Sequence, residues 1–288
     1  MSVRALSIAL RPIVFISAVM VAMALIGRTT SAALILVKTN QGSGADGRVT
    51  ENVGTPPGPT GATSGGSGTG TATMDVRWNG GIGNQDKNEW GVIRFDLSST
   101  ILGGSTRNDI NSAQLELVYQ QTGPQSGSIE VYGVLPGVSN EDSWAEGAMS
   151  FNNMPGLTFD GSVATKGLVA ADTTLIGSIA FTSLMKPATV GDIALGNGVL
   201  SLSNAALVSF LKSVDSDDLV TFLVTVTNPG NTQYRFGTKE LAALESGAPA
   251  GVAGDFAPRL KVNVVPEPAS LVLLVVGLMG WGASRRRC

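Results

Sequence analysis

The chain has 288 residues, 37 of them glycine, with 14 % charged residues and a formal net charge of −3. That length allows one large all-β domain or two small ones, and the only basic run, Arg285 to Arg287 at the C-terminus, argues against nucleic-acid binding. With no histidine, Ser-His-Asp and Cys-His catalysis and the commonest ligand of catalytic zinc are excluded, and the lone Cys288 permits no intramolecular disulfide.

Residues 1–33 read as a signal peptide. Arg4 and Arg11 supply a positive n-region, the apolar stretch from Ile13 to Ile26 follows, and Thr30-Ser31-Ala32-Ala33 offers the small residues that signal peptidase accepts. A strand-like segment, Leu34-Ile35-Leu36-Val37, begins at once and opens the exported part, expected over 34–264. Residues 42–73 are dominated by Gly, Thr, Ser and Pro, a composition that buries too little apolar surface to offset its ordering entropy, so a flexible insert is expected there.

Beyond the insert, short alternating segments bounded by Gly, Asn, Asp and Pro predict antiparallel strands packed as a sandwich or barrel. In Ala113-Gln114-Leu115-Glu116-Leu117-Val118-Tyr119 every odd position is apolar; Ile129 to Val134 alternates more loosely. Val220, Phe222, Val224 and Val226 share one face of a further strand, opposite Thr221 and Thr225. One helix is predicted between these strands, capped by Ser203 or Asn204, with Leu207, Phe210, Leu211 and Val214 at helical spacing.

Several local signatures occur in order: Val92-Ile93-Arg94-Phe95-Asp96-Leu97-Ser98, Ile110 to Leu117, Trp144-Ala145-Glu146 with Ser150-Phe151-Asn152-Asn153-Met154-Pro155, the capped helix, Phe236-Gly237-Thr238-Lys239-Glu240, and Ala257-Pro258-Arg259-Leu260. Over roughly Leu34 to Val264 this series resembles the DNRLRE-type domains, jelly-roll β-sandwiches related to alginate-type carbohydrate-binding modules. The resemblance implies an all-β antiparallel jelly roll with one short capping helix. Two departures weaken any transfer of ligand specificity: the Gly/Thr-rich insert, and Thr238-Lys239-Glu240 where the family carries Ser-Arg-Glu.

Trp78 and Trp90 flank a polar loop that includes Asn84 and Asp86, which makes these four residues the candidate glycan-binding surface. The alternative is that both tryptophans are strand-end core residues. Trp144, beside Glu141, Asp142 and Glu146, reads as a structural signature rather than a catalytic acid pair, since sequence neighbours do not ensure the carboxylate separation a glycosidase requires. Arg94 sits among apolar neighbours and needs a partner if buried; Glu240 is the expected one. Calcium is conceivable on loop carboxylates such as Asp46, Asp75, Asp215, Asp217 and Asp218, but no ligand pattern marks a metal site, and no cofactor is expected.

The C-terminus runs Val265-Pro266-Glu267-Pro268, then an apolar stretch from Leu271, then Arg285-Arg286-Arg287. The apolar part is shorter than the ~20 residues of a usual span, and the arginines hold its far end in the cytoplasm, so a transmembrane helix is expected at about 269–284. The prolines favour an extended approach to the membrane, a form that a membrane peptidase can grip. This triplet, short helix and arginine cluster over 265–288 resemble the PEP-CTERM sorting signal, which implies an exosortase partner that removes the tail after export. The whole then reads as an exported, non-catalytic surface or extracellular-matrix protein that binds exopolysaccharide. The alternatives are a carboxylate-based polysaccharide hydrolase or lyase, and a structural or adhesive subunit without a glycan ligand.

Overall fold

A computed structural model describes residues 32–54, 58–62, 73–80, 87–120, 125–146, 148–158, 164–185, 189–230, 232–241 and 254–265. Leu34–Val264 forms one compact unit. The second unit, Met1–Ala33 with Val265–Cys288, lies outside the described residues except at Ala32, Ala33 and Val265. Among the described residues no helix is long and apolar enough to cross a membrane; the helices expected in 1–33 and at 269–284 fall outside them.

The strands are β1 (Ala33–Lys38), β2 (Ala45–Gly54), β3 (Gly58–Ala62), β4 (Thr73–Val76), β5 (Lys87–Asp96), β6 (Ile110–Val118), β7 (Gln125–Val134), β8 (Thr173–Met185), β9 (Val199–Leu202), β10 (Leu219–Val226), β11 (Tyr234–Gly237) and β12 (Arg259–Val264). They make a four-stranded sheet, β1-β12-β6-β9, a six-stranded sheet, β3-β2-β5-β10-β7-β8, and a two-stranded pair, β11-β4. Antiparallel registers run through the six-stranded sheet, and β6 pairs antiparallel with both β12 and β9. The arrangement is a mostly antiparallel β-sandwich.

Alternation sets the interior. Val220, Phe222, Val224 and Val226 of β10 join Ile93 and Phe95 of β5, Leu115 and Leu117 of β6, and Leu260 and Val262 of β12 in one buried cluster. Helix α2 (Ala205–Ser213) starts at Asn204, whose side chain accepts from the Leu207 N–H at 2.7 Å, and inserts Leu207, Phe210 and Leu211 into that cluster. Phe210 stacks edge-on against Phe222 at 5.3 Å and lies over Gly133, where a Cβ would sit 2.3 Å from the ring. A second short helix, α1 (Val190–Ala194), was not legible from periodicity; a capping box between Thr189 and Asp192 forms it.

The Gly/Thr-rich stretch expected as a flexible insert at 42–73 instead holds strands β2 and β3. β2 pairs with β5 from Ala45 opposite Arg94 to Asn52 opposite Lys87, and buries Ala45 and Val49. Pairing against a buried neighbour supplies what the local composition lacks; residues 63–72 lie outside the described set.

The inner strands β5 and β10 of the six-stranded sheet are buried on both faces. Away from the interior, Trp90, Val92, Val49, Val134 and Leu223 pack against Trp144, Met149, Phe151, Met154 and Leu157 of the β7–β8 connection. Packing on both sides also explains the loose alternation of β7, where Ile129 and Val131 face the interior while Tyr132 and Val134 meet this second cluster.

Candidate functional site

Arg94 of β5 stands between Ala45 of β2 and Thr221 of β10, on the face covered by the β7–β8 connection. Its Nε donates to the Ser43 carbonyl at 2.9 Å, and its Nη1 donates to the carbonyls of Asp142 and, at 2.7 Å, Trp144. The guanidinium lies 4.7 Å from the Trp144 ring centroid, a cation–π distance. Trp144 is 6 % exposed, and its indole N–H donates to Thr221 Oγ1 at 3.0 Å, whose hydroxyl donates to Asp142 Oδ1 at 3.0 Å.

Beside this junction the fold brings together Asp46, Glu146 and Glu240, with carboxylate oxygens within 4.8 Å of one another. Lys239 occupies the cluster: its ammonium is 2.8 Å from Glu146 and 3.9 Å from Glu240, while its backbone N–H donates to both Asp46 oxygens at 3.2 and 3.1 Å. Thr39 Oγ1 also donates to Asp46, and the Asp46 N–H donates to Glu146 Oε1 at 2.9 Å. Burial pushes the Asp46 carboxyl up to about 7 against the pull of the Thr39 hydroxyl, with the charges of Glu240 and Glu146 adding to the rise.

A second triad, Asp142, Asp215 and Asp217, lies near the start of β10. Burial raises the Asp142 carboxyl to about 6 despite the Thr221 hydroxyl. Asp215 and Asp217 accept from the backbone N–H groups of Asp217 and Leu219 at 3.0 and 2.9 Å, so they also cap the turn that leads into β10. A calcium ion would find oxygen ligands here, although the Arg94 guanidinium acts on Asp142 and Asp217 and Arg107 on Asp215.

Arg94 and Glu240, expected to pair, have different partners: backbone carbonyls and an indole ring for one, Lys239 for the other. Three oriented carbonyls accept from the Arg94 N–H groups, while the carboxylates of Asp142 and Glu146 offset its charge. Arg94→Met should therefore lower stability by about 2–4 kcal/mol, because charged hydrogen bonds are lost and their acceptors stay behind. Adding Glu240→Leu should give an additive loss in urea unfolding, since the two share no hydrogen-bond partner. Coupling above about 1 kcal/mol would show that the two side chains do pair.

Of the four candidate glycan-binding residues, the structure describes Trp78 and Trp90. Trp90 is fully buried, with its indole N–H donating to the Lys166 carbonyl at 3.0 Å and its ring 6.1 Å from Tyr132. A fully buried ring offers no stacking face, so Trp90 is a core residue. Trp78 is half-buried beneath the Lys166 ammonium, 4.7 Å from its ring centroid. Asn84 and Asp86 lie outside the described residues.

No signal in the sequence brought Asp46, Glu146 and Lys239 together. They are separated by about a hundred residues each, and only strand pairing and the β7–β8 connection make them neighbours.

β12 is an inner strand of its sheet, flanked by β1 and β6, and Val265 alone separates its end from Pro266. Residues 264–287 match the family model described as the PEP-CTERM protein-sorting motif. The chain carries a PEP-CTERM sorting signal. No curated protein matches the sequence. A PEP-CTERM signal implies export, recognition by an exosortase and processing close to the membrane. Pro266, Glu267, Pro268 and Arg285 to Arg287 fall within the matched span and outside the described residues, and the motif leaves the activity of Leu34–Val264 open.

Proposed function

We propose that the mature protein is a non-catalytic component of the cell surface or extracellular matrix, exported through a signal peptide, released from its tail by an exosortase, and bound to exopolysaccharide through its β-sandwich. The position of the PEP-CTERM signal carries this reading: it begins where the last strand ends, so the whole described domain is the cargo. Further support comes from strand order. Among β1, β5–β10 and β12, the two sheets run 1-12-6-9 and 5-10-7-8, the arrangement expected of a jelly roll built from two Greek keys. That order favours the DNRLRE-type reading of the domain, with β2–β3 and β4–β11 as additions.

The non-catalytic reading draws on how the clustered carboxylates are used. Asp46 and Glu146 hold backbone and ammonium groups, and Asp142 braces Thr221. Such groups tie segments together rather than facing a substrate as a free acid and base.

The deciding experiment is intact mass and localisation of the protein in its native host, with and without Pro266→Ala and Glu267→Ala. The wild type is expected to lose its C-terminal tail and leave the inner membrane, whereas the altered protein keeps the tail and accumulates there. A tail retained by both would overturn the reading in favour of an ordinary tail-anchored periplasmic domain.

A further inference from the structure

The β7–β8 connection does more than cover the sheet. Its two turns, around Pro136–Asn140 and Asn152–Leu157, leave between them an open groove of about 650 Å3 that Asp172 completes. The volume is within the range of small-ligand sites. Buried Met154 and Pro155 form an apolar floor, while Ser139, Asn140 and Asn152 are exposed around it.

Both walls are fixed by the chain itself. Glu141 Oε1 accepts from the Gly137 N–H at 2.9 Å and clamps the first turn. In the second, Asn153 accepts from the Ser150 N–H and donates to the Ala148 carbonyl at 3.0 Å, which fixes its amide within the turn. Met154 and Leu157 anchor that turn in the outer-face cluster, and Gly156, at φ +79°, packs against Thr173 where a side chain would clash. The adjacent amide of Asn152 and the hydroxyl of Ser139 have no side-chain partner among the described residues. Asn140 uses only its Oδ1, on Ser143 at 3.3 Å.

We infer that this groove is a saccharide subsite and that its ligand is a neutral, hydroxyl-rich polysaccharide. The inference rests on the polysaccharide-binding reading above and specifies where and what. An amide presents donor and acceptor in one plane, which matches the paired donor and acceptor roles of vicinal sugar hydroxyls. Pro136 and Ala171, exposed in the same lining, offer apolar contact to the C–H face of a sugar ring. Among the described residues the lining has one ionisable side chain, Asp172, and no basic one, so a uronate or sulfate would meet negative charge without a counter-ion. Preformed walls reduce the ordering cost of binding.

The test is affinity electrophoresis of the full chain in detergent, through gels containing dextran, laminarin or galactomannan as neutral probes and alginate as an acidic one. Asn152→Ala and Asn140→Gly remove the amides at exposed positions, and glycine suits the left-handed φ of 63° at Asn140. At least one neutral polymer should retard the wild type more than alginate does, and the double variant should bind roughly tenfold more weakly with an unchanged Tm. Retardation by a neutral polymer that survives both substitutions would refute the groove and leave the polysaccharide-binding reading standing. Preferential retardation by alginate would refute the neutral ligand. No retardation by any of the four would overturn the binding reading and the groove with it.

Discussion

Trp144→Ala is expected to lower the stability of the domain by about 3–5 kcal/mol, the usual cost of truncating a buried aromatic in a packed core. The indole is 6 % exposed and centres the cluster that seals the outer face of the six-stranded sheet. Its removal also takes away the donor to Thr221 Oγ1 and the ring beneath the Arg94 guanidinium. Three separate losses therefore fall on one residue: apolar contact, a buried hydrogen bond and a cation–π contact. In a domain of this size the expected fall in Tm is on the order of 10 °C. Limited proteolysis should cut first within the β7–β8 connection, because Trp144 fastens it to β5 and β10. Trp78→Ala, at a half-buried position, should cost clearly less. Equal losses from the two substitutions would mean that the connection is not held by Trp144.

Acidification is expected to stabilise the fold down to about pH 5. Asp46 is 1 % exposed, and burial raises its carboxyl to about 7, with Glu240 and Glu146 beside it and the Lys239 ammonium against those two carboxylates. A raised folded-state value means that the native protein holds this proton more tightly than the unfolded chain does. Its contribution is complete below the ordinary carboxylate range and is lost as pH rises through about 7. Asp142, raised to about 6 by burial, acts in the same direction. For Asp46 the full effect is at most about 4 kcal/mol, so Tm should fall between pH 5 and pH 8. Asp46→Asn should flatten that dependence and melt higher than the wild type at pH 8. An amide oxygen still accepts from Thr39 and the Lys239 N–H, and its NH2 faces Glu146 and Glu240 without bringing a charge. An unchanged pH profile in Asp46→Asn would show that another group governs the titration.

Comparison of particular segments separates local from long-range information. The β10 alternation and the α2 cap were legible because both follow from chain-local rules: a period of two, and a side chain that satisfies its own helix N-terminus. Strands β2 and β3 were not legible, since their Gly- and Thr-rich composition reads as a loop until β5 lies alongside. The tryptophans divide for the same reason. Trp90 and Trp78 look alike in sequence, and only the covering connection and Lys166 determine that one is sealed and the other half-exposed.

What the amino-acid sequence by itself determined was the class and destination of this protein: a β-rich cargo, without histidine chemistry, ending in a sorting signal. A sorting signal is read by its receptor as a short contiguous segment, so its information is linear. Tertiary structure alone decided the partners of Arg94, the meeting of Asp46 with Glu146 and Lys239, and the groove between two turns of one connection. Each depends on segments distant in sequence, or on turns held from outside, and side-chain contacts of that kind are created by strand pairing and burial rather than by any local pattern of residues.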